Sequence, residues 1–471
     1  MAENKGNGIT ISVIPFYLKS ADKKSVLEGL LDNLKYLTRT NLEAHSDYYP
    51  DHIKSIWNYN KNIPENEEVG FLQVYKFDTN LIGNNIYIPN KRIDNQVSEY
   101  PFKITAVRLI INKKNTYPDM SFGYLIISYQ WQEIFQLNQF AASDFFRFHC
   151  LEGDQQSKHA FKRIHPQLTN KLNEGLISEK NEEIYLEGII HDLMRPKVNY
   201  ERIPSLWEDF RECISFPYNR SYLLHFFHCS PEEAKRDNKK EAYRMIRVPQ
   251  KDESMALDER FDEFIGSVMI NSPLNHSTEF YAMSEGALVN DSGKEFKEKS
   301  IINKYFPAFF LALNQREAQL YVASRFIQLK RDENFRYLTE ELRKMNGNFV
   351  NIRFDQYFKS VSRNTEVDYF FKSIQKVFQV NEILEDNEDK INSLEEIAVV
   401  AENKEVEHSE RKREARINIL LMSIALFSIF SAVTDTYDLF DLNSKWTPHF
   451  VWVPIVATLI CAYYLLRNQK K

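Results

Sequence analysis

A chain of 471 residues and 55.8 kDa can bury a sizeable core in two or three domains, and 43% hydrophobic with 27% charged residues is a globular balance. A mean hydropathy of −0.47 confines any membrane part to a small fraction of the length, and a formal net charge of −6 gives no reason to expect a nucleic acid as the main partner. Cys150, Cys213, Cys229 and Cys461 lie far apart without a CxxC spacing, which indicates neither a disulfide framework nor a zinc knuckle.

The N-terminus, MAENKGNGITISVIPFYL, lacks the basic-then-apolar order of a secretory signal, so the body is expected in the cytosol. Strand-like runs follow: ITISVIPFYL, VGFLQVYKF at 69–77, ITAVRLII at 104–111 and FGYLIISYQW at 122–131. NKKNTYPDMS joins the last two through turn-forming Asn, Pro and Asp, which predicts a hairpin. A helix, DKKSVLEGLLDNLKYL, separates the first strand from the rest. Between 145 and 290 further strands are expected around 221–229, 242–248 and 278–289. The fold class is thus an α+β domain with a mixed sheet over residues 1–290, with a possible subdomain break near 145–150.

From 291 to 416 the pattern predicts helical stalk segments. IINKYFPAFFLALNQREAQLYVASRFIQLK has apolar residues at three- and four-residue spacing, and NGN at 346–348 breaks it. A second helix is expected from about Phe354 onwards without interruption. Val367, Phe370, Ile374, Val377, Leu384, Ile391, Leu394 and Ile397 approximate a 3.5-residue stripe, interrupted by Asn381 and Glu388. Such a stripe suits a packed stalk or an amphipathic helix lying on its own domain. Past Ala401 it gives way to ENKEVEHSERKREAR, which suits solvent on all sides.

Two uncharged runs end the chain, INILLMSIALFSIFSAV at 417–433 and FVWVPIVATLICAYYLL at 450–466, each near the short end of a membrane-spanning length. Arg411, Lys412, Arg413 and Arg416 precede the first run, and Arg467, Lys470 and Lys471 follow the second. The connection at 435–449 carries Asp435, Asp438 and Asp441 against Lys445 alone. This asymmetry predicts two transmembrane helices, 417–434 and 450–466, with an acidic outer loop at 435–449, a basic tail at 467–471 and both termini in the cytosol of a bacterial inner membrane. Trp446, Trp452, Tyr463 and Tyr464 fall where interfacial aromatics are expected, and a buried helical hairpin is the alternative.

At about 100° per residue, Ser428, Ser431, Asp435 and Asp438 share one helix face, continued through Ile424, Leu421 and Ile417. A face apolar at one end and hydroxyl-lined then acidic at the other suits a pore wall, although serines also serve helix packing. Two spans cannot enclose a pore. A conducting face therefore calls for a homo-oligomeric ring, with Leu421 and Ile424 as a dewetting gate and the Ser and Asp rings drawing cations.

This arrangement resembles the CorA family of divalent-cation channels over about Phe354–Lys471. The resemblance implies a pentamer in a lipid bilayer. The family's Gly-Met-Asn signature should fall near 434–437, where this chain reads TDTY, which sets it apart from the magnesium-selective members. The larger body is similar to the CorA-like membrane effectors found beside type III CRISPR systems. That likeness implies a nucleotide messenger of the adenylated S-adenosylmethionine type, a role in antiviral defence and no enzymatic activity. Divalent-cation transport for homeostasis and a membrane-anchored scaffold or enzyme are the alternatives.

A nucleotide ligand calls for cations beside phosphate and aromatics beside a base. FPYNRSYL offers Tyr218, Arg220 and Tyr222, and HAFKRIHP clusters Lys162 and Arg163; either pattern equally fits an ordinary surface strand or helix. His225, His228 and Cys229 lack a matching ligand pair elsewhere, and His191-Asp192 is an isolated dipeptide. No metal site, GxxxxGK[ST], GxGxxG or GxSxG motif is present.

Overall fold

The computed structural model describes residues 8–19, 23–44, 47–57, 71–79, 86–90, 98–112, 122–131, 160–163, 183–185, 206–216, 221–228, 268–293, 298–329 and 357–439, with isolated positions elsewhere. Its strands are β1 (Gly8–Leu18), β2 (Leu37–Thr40), β3 (Leu72–Phe77), β4 (Ile86–Asn90), β5 (Ser98–Asn112), β6 (Phe122–Trp131) and β7 (Ala160–Arg163). They continue with β8 (Glu183–Tyr185), β9 (Ile214–Ser215), β10 (Tyr222–His228), β11 (Ile270–Pro273), β12 (Thr278–Met283) and β13 (Gly286–Asp291). All belong to one sheet in the order β11-β12-β13-β10-β1-β6-β5-β4-β7-β8, with β2 on β3, β3 on β5, and β9 on β1. The expected mixed sheet is present: β10 and β13 run parallel, while the other described pairs are antiparallel.

β1 and β6 are apolar on both pleat faces because helices cover both. On one face Ile14, Phe16, Leu109, Leu125 and Ile127 pack with Leu27 and Leu31 of α1 (Lys23–Asp32) and with Phe210 and Cys213 of a later helix, Trp207–Cys213. Burial raises the pKa of the Cys213 thiol. At the sheet's other end Phe227, Tyr281, Met283 and Leu288 pack with Ala242, Tyr243 and Ile246. These last three are helical, not the strand expected over 242–248. Their i, i+1, i+4 spacing puts all three on one helix face, a pattern that a short apolar run shares with a strand.

The opposite face carries a long helix, Glu298–Leu329. In chain order α1 is followed by the short α2 (Asp51–Lys54), α3 (Trp207–Cys213), α4 (Glu298–Leu329), α5 (Thr365–Val377) and α6 (Val380–Leu439). Tyr124 of β6 meets Phe310 of α4 edge to face at 5.0 Å and donates its hydroxyl to Asn314 Oδ1 at 3.0 Å. Phe370 of α5 lies against Phe280 of β12 at 5.3 Å and Tyr305 of α4 at 5.2 Å. α4 is therefore covered by the sheet and by α5 together, and from Tyr305 to Gln315 its side chains are at most 2% exposed where burial is given.

Pro307 sits inside α4, where it can give no N–H to the carbonyl four residues back. One residue on, the Tyr49 hydroxyl replaces a ladder bond: it donates to Lys304 O and accepts from Ala308 N–H at 3.1 Å. Tyr49 is fully buried, and burial raises its pKa well above the usual phenol value. Tyr49→Phe is expected to leave both backbone groups unpaired and to cost about 1–3 kcal/mol, read from urea denaturation midpoints.

The second helix expected from about Phe354 does not run unbroken: Phe354 lies outside the described residues, 357–364 are not helical, and α5 begins at Thr365. Asn364 caps α5, its side chain accepting from Glu366 N–H at 3.0 Å and Val367 N–H at 3.2 Å. The helix then breaks at Gln379, whose φ of 54° is left-handed, and α6 begins at Val380. The corner buries Phe378 and Val380, both 0% exposed. Asn381 and Glu388, the interruptions in the stripe, have partners from the preceding segment: Tyr357 donates its hydroxyl to Asn381 Oδ1, and Arg353 pairs with Glu388.

The two predicted transmembrane helices are not borne out. Among the described residues no helix is long and apolar enough to cross a membrane. Residues 417–434 fall inside α6, a 60-residue helix that is mostly polar and continues through Leu439. The run 450–466 lies outside the described residues apart from Val456, which is helical and exposed.

Two compact units emerge: residues 1–330 with 343–389, and residues 331–342 with 390–471.

Candidate functional site

Helix α4 carries an unusual sequence at its centre. Between FFLAL and LYVA stands NQREAQ, and its Asn314, Gln315, Glu317 and Gln319 are all at most 2% exposed. A buried polar group must find a partner or lose stability. Here the partners come from elements far away in sequence. Gln375 of α5 donates to Gln315 Oε1 at 2.6 Å and to Phe358 O at 2.9 Å. Asn387 of α6 donates to Gln319 O at 2.9 Å and Oε1 at 3.1 Å.

Glu317 is 0% exposed and accepts hydroxyl hydrogen bonds from Tyr17 of β1 at 3.3 Å and Tyr222 of β10 at 3.1 Å. Burial pushes its carboxyl up to about 7, against the opposing pull of Arg316 and of the two hydroxyls. The Arg316 guanidinium lies 5.5 Å from the ring centroids of both Tyr222 and Phe378 and donates to Ser284 O at 3.2 Å. Tyr222 and Phe378 themselves meet at 5.6 Å. A polar seam thus links the sheet, α4 and the α5–α6 corner.

A second polar joint closes the N-terminal end of α5. Lys304 pairs with Glu366 and lies 5.0 Å from the ring centroids of Tyr48 and Tyr305, and Asn275 donates to Glu366 at 3.4 Å. Burial foremost, with the Glu366 carboxylate second, raises the pKa of Tyr305.

Of the residues expected to hold a nucleotide, the described Tyr222 lies apart from Lys162 and Arg163. Tyr222 points its hydroxyl at Glu317 inside the seam, while Tyr218 and Arg220 lie outside the described residues. Lys162 and Arg163 belong to β7, whose backbone pairs with β4. Five strand steps separate β7 from β10, roughly 24 Å at ~4.8 Å per step.

His225 is buried and shares a hydrogen bond of 2.8 Å with Thr10 Oγ1, its ring stacked on Phe227. Cys229, His191 and Asp192 lie outside the described residues. Among the described residues no group of three or more His, Cys, Asp or Glu could hold a metal ion.

In the second unit, α6 carries Arg411, Lys412, Arg413 and Arg416, all exposed, directly before exposed apolar residues. Ile417, Leu420, Leu421 and Ile424 are 49–62% exposed, and their i, i+3, i+4, i+7 spacing aligns them in one stripe. Arg411 is tied to Glu407 at 2.6 Å. Ser428 and Ser431 follow on the same helix; Ser428 donates back to Ile424 O at 3.0 Å. Asp435 and Asp438 lie on helical backbone, with side chains outside what is described.

No protein-family model matches the chain, and no curated protein matches it.

Proposed function

We propose that the protein is a ligand-responsive, homo-oligomeric effector that acts on a lipid bilayer through the C-terminal part of α6. The observation that carries this reading is the apolar stripe Ile417, Leu420, Leu421 and Ile424, left exposed behind the basic collar Arg411–Arg416. Apolar side chains beside clustered cations suit a surface where acyl chains lie beneath anionic headgroups. The sheet body serves as receiver of a cytosolic ligand, a nucleotide messenger of the kind implied by the CorA-like resemblance. Activation then admits cations or disorders the lipid, with Asp435 and Asp438 attracting cations to the site of action.

Flotation of the purified full chain with phosphatidylglycerol-containing and phosphatidylcholine-only vesicles tests this directly. Co-flotation with the anionic vesicles, weakened by salt, is the expected result, together with release of an entrapped dye on adding adenylated S-adenosylmethionine. Absence of flotation under either condition overturns the reading. If analytical ultracentrifugation then shows a stable lipid-free oligomer that Leu420→Ser dissociates, the stripe is a helix-association surface.

A further inference from the structure

Glu317 occupies a place in the seam that packing alone does not call for. It is a carboxyl with 0% exposure, and the sheet meets it through two tyrosine hydroxyls, those of Tyr17 and Tyr222. Tyr222 in turn holds the α5–α6 corner: its ring abuts Phe378, and the Arg316 guanidinium lies close to both rings. Phe378 immediately precedes Gln379, the left-handed residue at which the stalk turns. A change at the carboxyl thus reaches the corner through one aromatic contact.

We infer that Glu317 is a proton-operated latch that sets how firmly the α5–α6 corner is held on the sheet. The groups facing it are few. β1 presents Tyr17, backed by the ring of Tyr321 at 5.6 Å; β10 presents Tyr222; α4 itself presents Arg316. The corner presents the uncharged Phe378. Among the described residues one cation therefore stands against one carboxyl, and the other partners named are hydroxyls that donate to a carboxylate and can accept from a carboxylic acid.

The direction follows from burial. A neutral carboxyl pays little for leaving water, whereas a carboxylate here depends on Arg316 and two hydroxyls to offset its desolvation. The packed corner therefore binds the proton more tightly than an opened corner in which water reaches Glu317. Protons hold the latch closed, and raising the pH through neutrality loosens it. The neighbouring Gln375–Gln315 and Asn387–Gln319 pairs carry no charge and keep α5 and α6 in register in both states. This device goes beyond the bilayer reading and does not rest on it.

Hydrogen–deuterium exchange of the full chain, followed over residues 365–389 from pH 6 to pH 8 and corrected for intrinsic exchange, reads the latch. Opening linked to one proton predicts roughly a tenfold rise in corner exchange over that interval, with the β5–β6 core unchanged. Glu317→Gln should hold the corner at one pH-independent level. Tyr17→Phe with Tyr222→Phe, which removes donors to the carboxylate, should move the midpoint to higher pH. A protonated-carboxyl infrared band that disappears across the same interval, and is absent in Glu317→Gln, provides a readout that does not depend on the tyrosine variants folding. Corner exchange independent of pH in the wild type, or a Glu317→Gln profile matching the wild type, overturns the proposal.

Discussion

Gly286→Ala is expected to leave little or no folded protein. β10 and β13 pair in parallel with Leu223 opposite Gly286, and a Cβ at Gly286 would lie 2.1 Å from Leu223 O and 3.0 Å from its carbonyl carbon. The obstacle is backbone inside the sheet, so no rotamer change relieves it. Moving the strands apart would break a ladder that is buried on both sides, through Leu224, Phe226, Ala287 and Val289 on one face and Leu223, Phe227 and Leu288 on the other. The cost should exceed about 4 kcal/mol, the range in which single substitutions unfold a marginally stable domain. Far-ultraviolet circular dichroism and soluble yield check it. Gly29→Ala is the control: this glycine is exposed within α1 and a Cβ there meets nothing within 4 Å. It should stabilise by about 0.5–1 kcal/mol. Wild-type stability in Gly286→Ala would mean that the parallel pair yields far more easily than its geometry indicates.

Joint replacement of Leu420, Leu421 and Ile424 by serine should cut binding to phosphatidylglycerol vesicles by about a hundredfold while leaving the melting temperature unchanged. Each side chain is more than half exposed, so folding gains little from it and a bilayer can still gain its burial. Covering the exposed half of a Leu or Ile contributes about 1 kcal/mol, and three such losses amount to about 3 kcal/mol. Charge reversal at Lys412 and Arg413 should instead lower affinity in a way that fades with salt. Undiminished flotation of the triple serine variant would remove the stripe from the binding surface.

The strands were legible because both their faces are buried. FGYLIISYQW contains too many large apolar residues for a one-sided strand, and β6 runs over the same ten residues, Phe122–Trp131. The helical placement of Ala242, Tyr243 and Ile246 was not legible, since a short run such as AYRMIRV fits either period and its partners, Phe227 and Leu288, come from other parts of the chain. Asn381 and Glu388 read as defects in a heptad because Tyr357 and Arg353, which satisfy them, approach through a turn that local spacing does not encode. The seam was missed for a similar reason. NQREAQ resembles a solvated helix face, and only its position between two wholly apolar segments hinted at burial. The apolar run at 417–433 reads as a span by hydropathy, whereas the helix holding it is 60 residues long and mostly polar. Of the candidate nucleotide contacts, the described Tyr222 stands strands away from Lys162 and Arg163, since strand order is set by pairings that a linear reading does not reveal.

β1 precedes the other described strands in the chain and stands near the middle of the sheet, flanked by β6 on one edge and by β10 and β9 on the other. Its register with β10 pairs Gly8 with Phe227 and Val13 with Tyr222, so about two hundred residues must leave the ribosome before that edge can close. At roughly 5–20 residues per second, the nascent chain carries β1 with that edge unpaired for about 10–45 s. During that time it is a template for pairing with another chain. Production of the protein should therefore depend on chaperones that shield strand edges during synthesis, and slowing translation before residue 222 should lower the soluble yield more than slowing it afterwards.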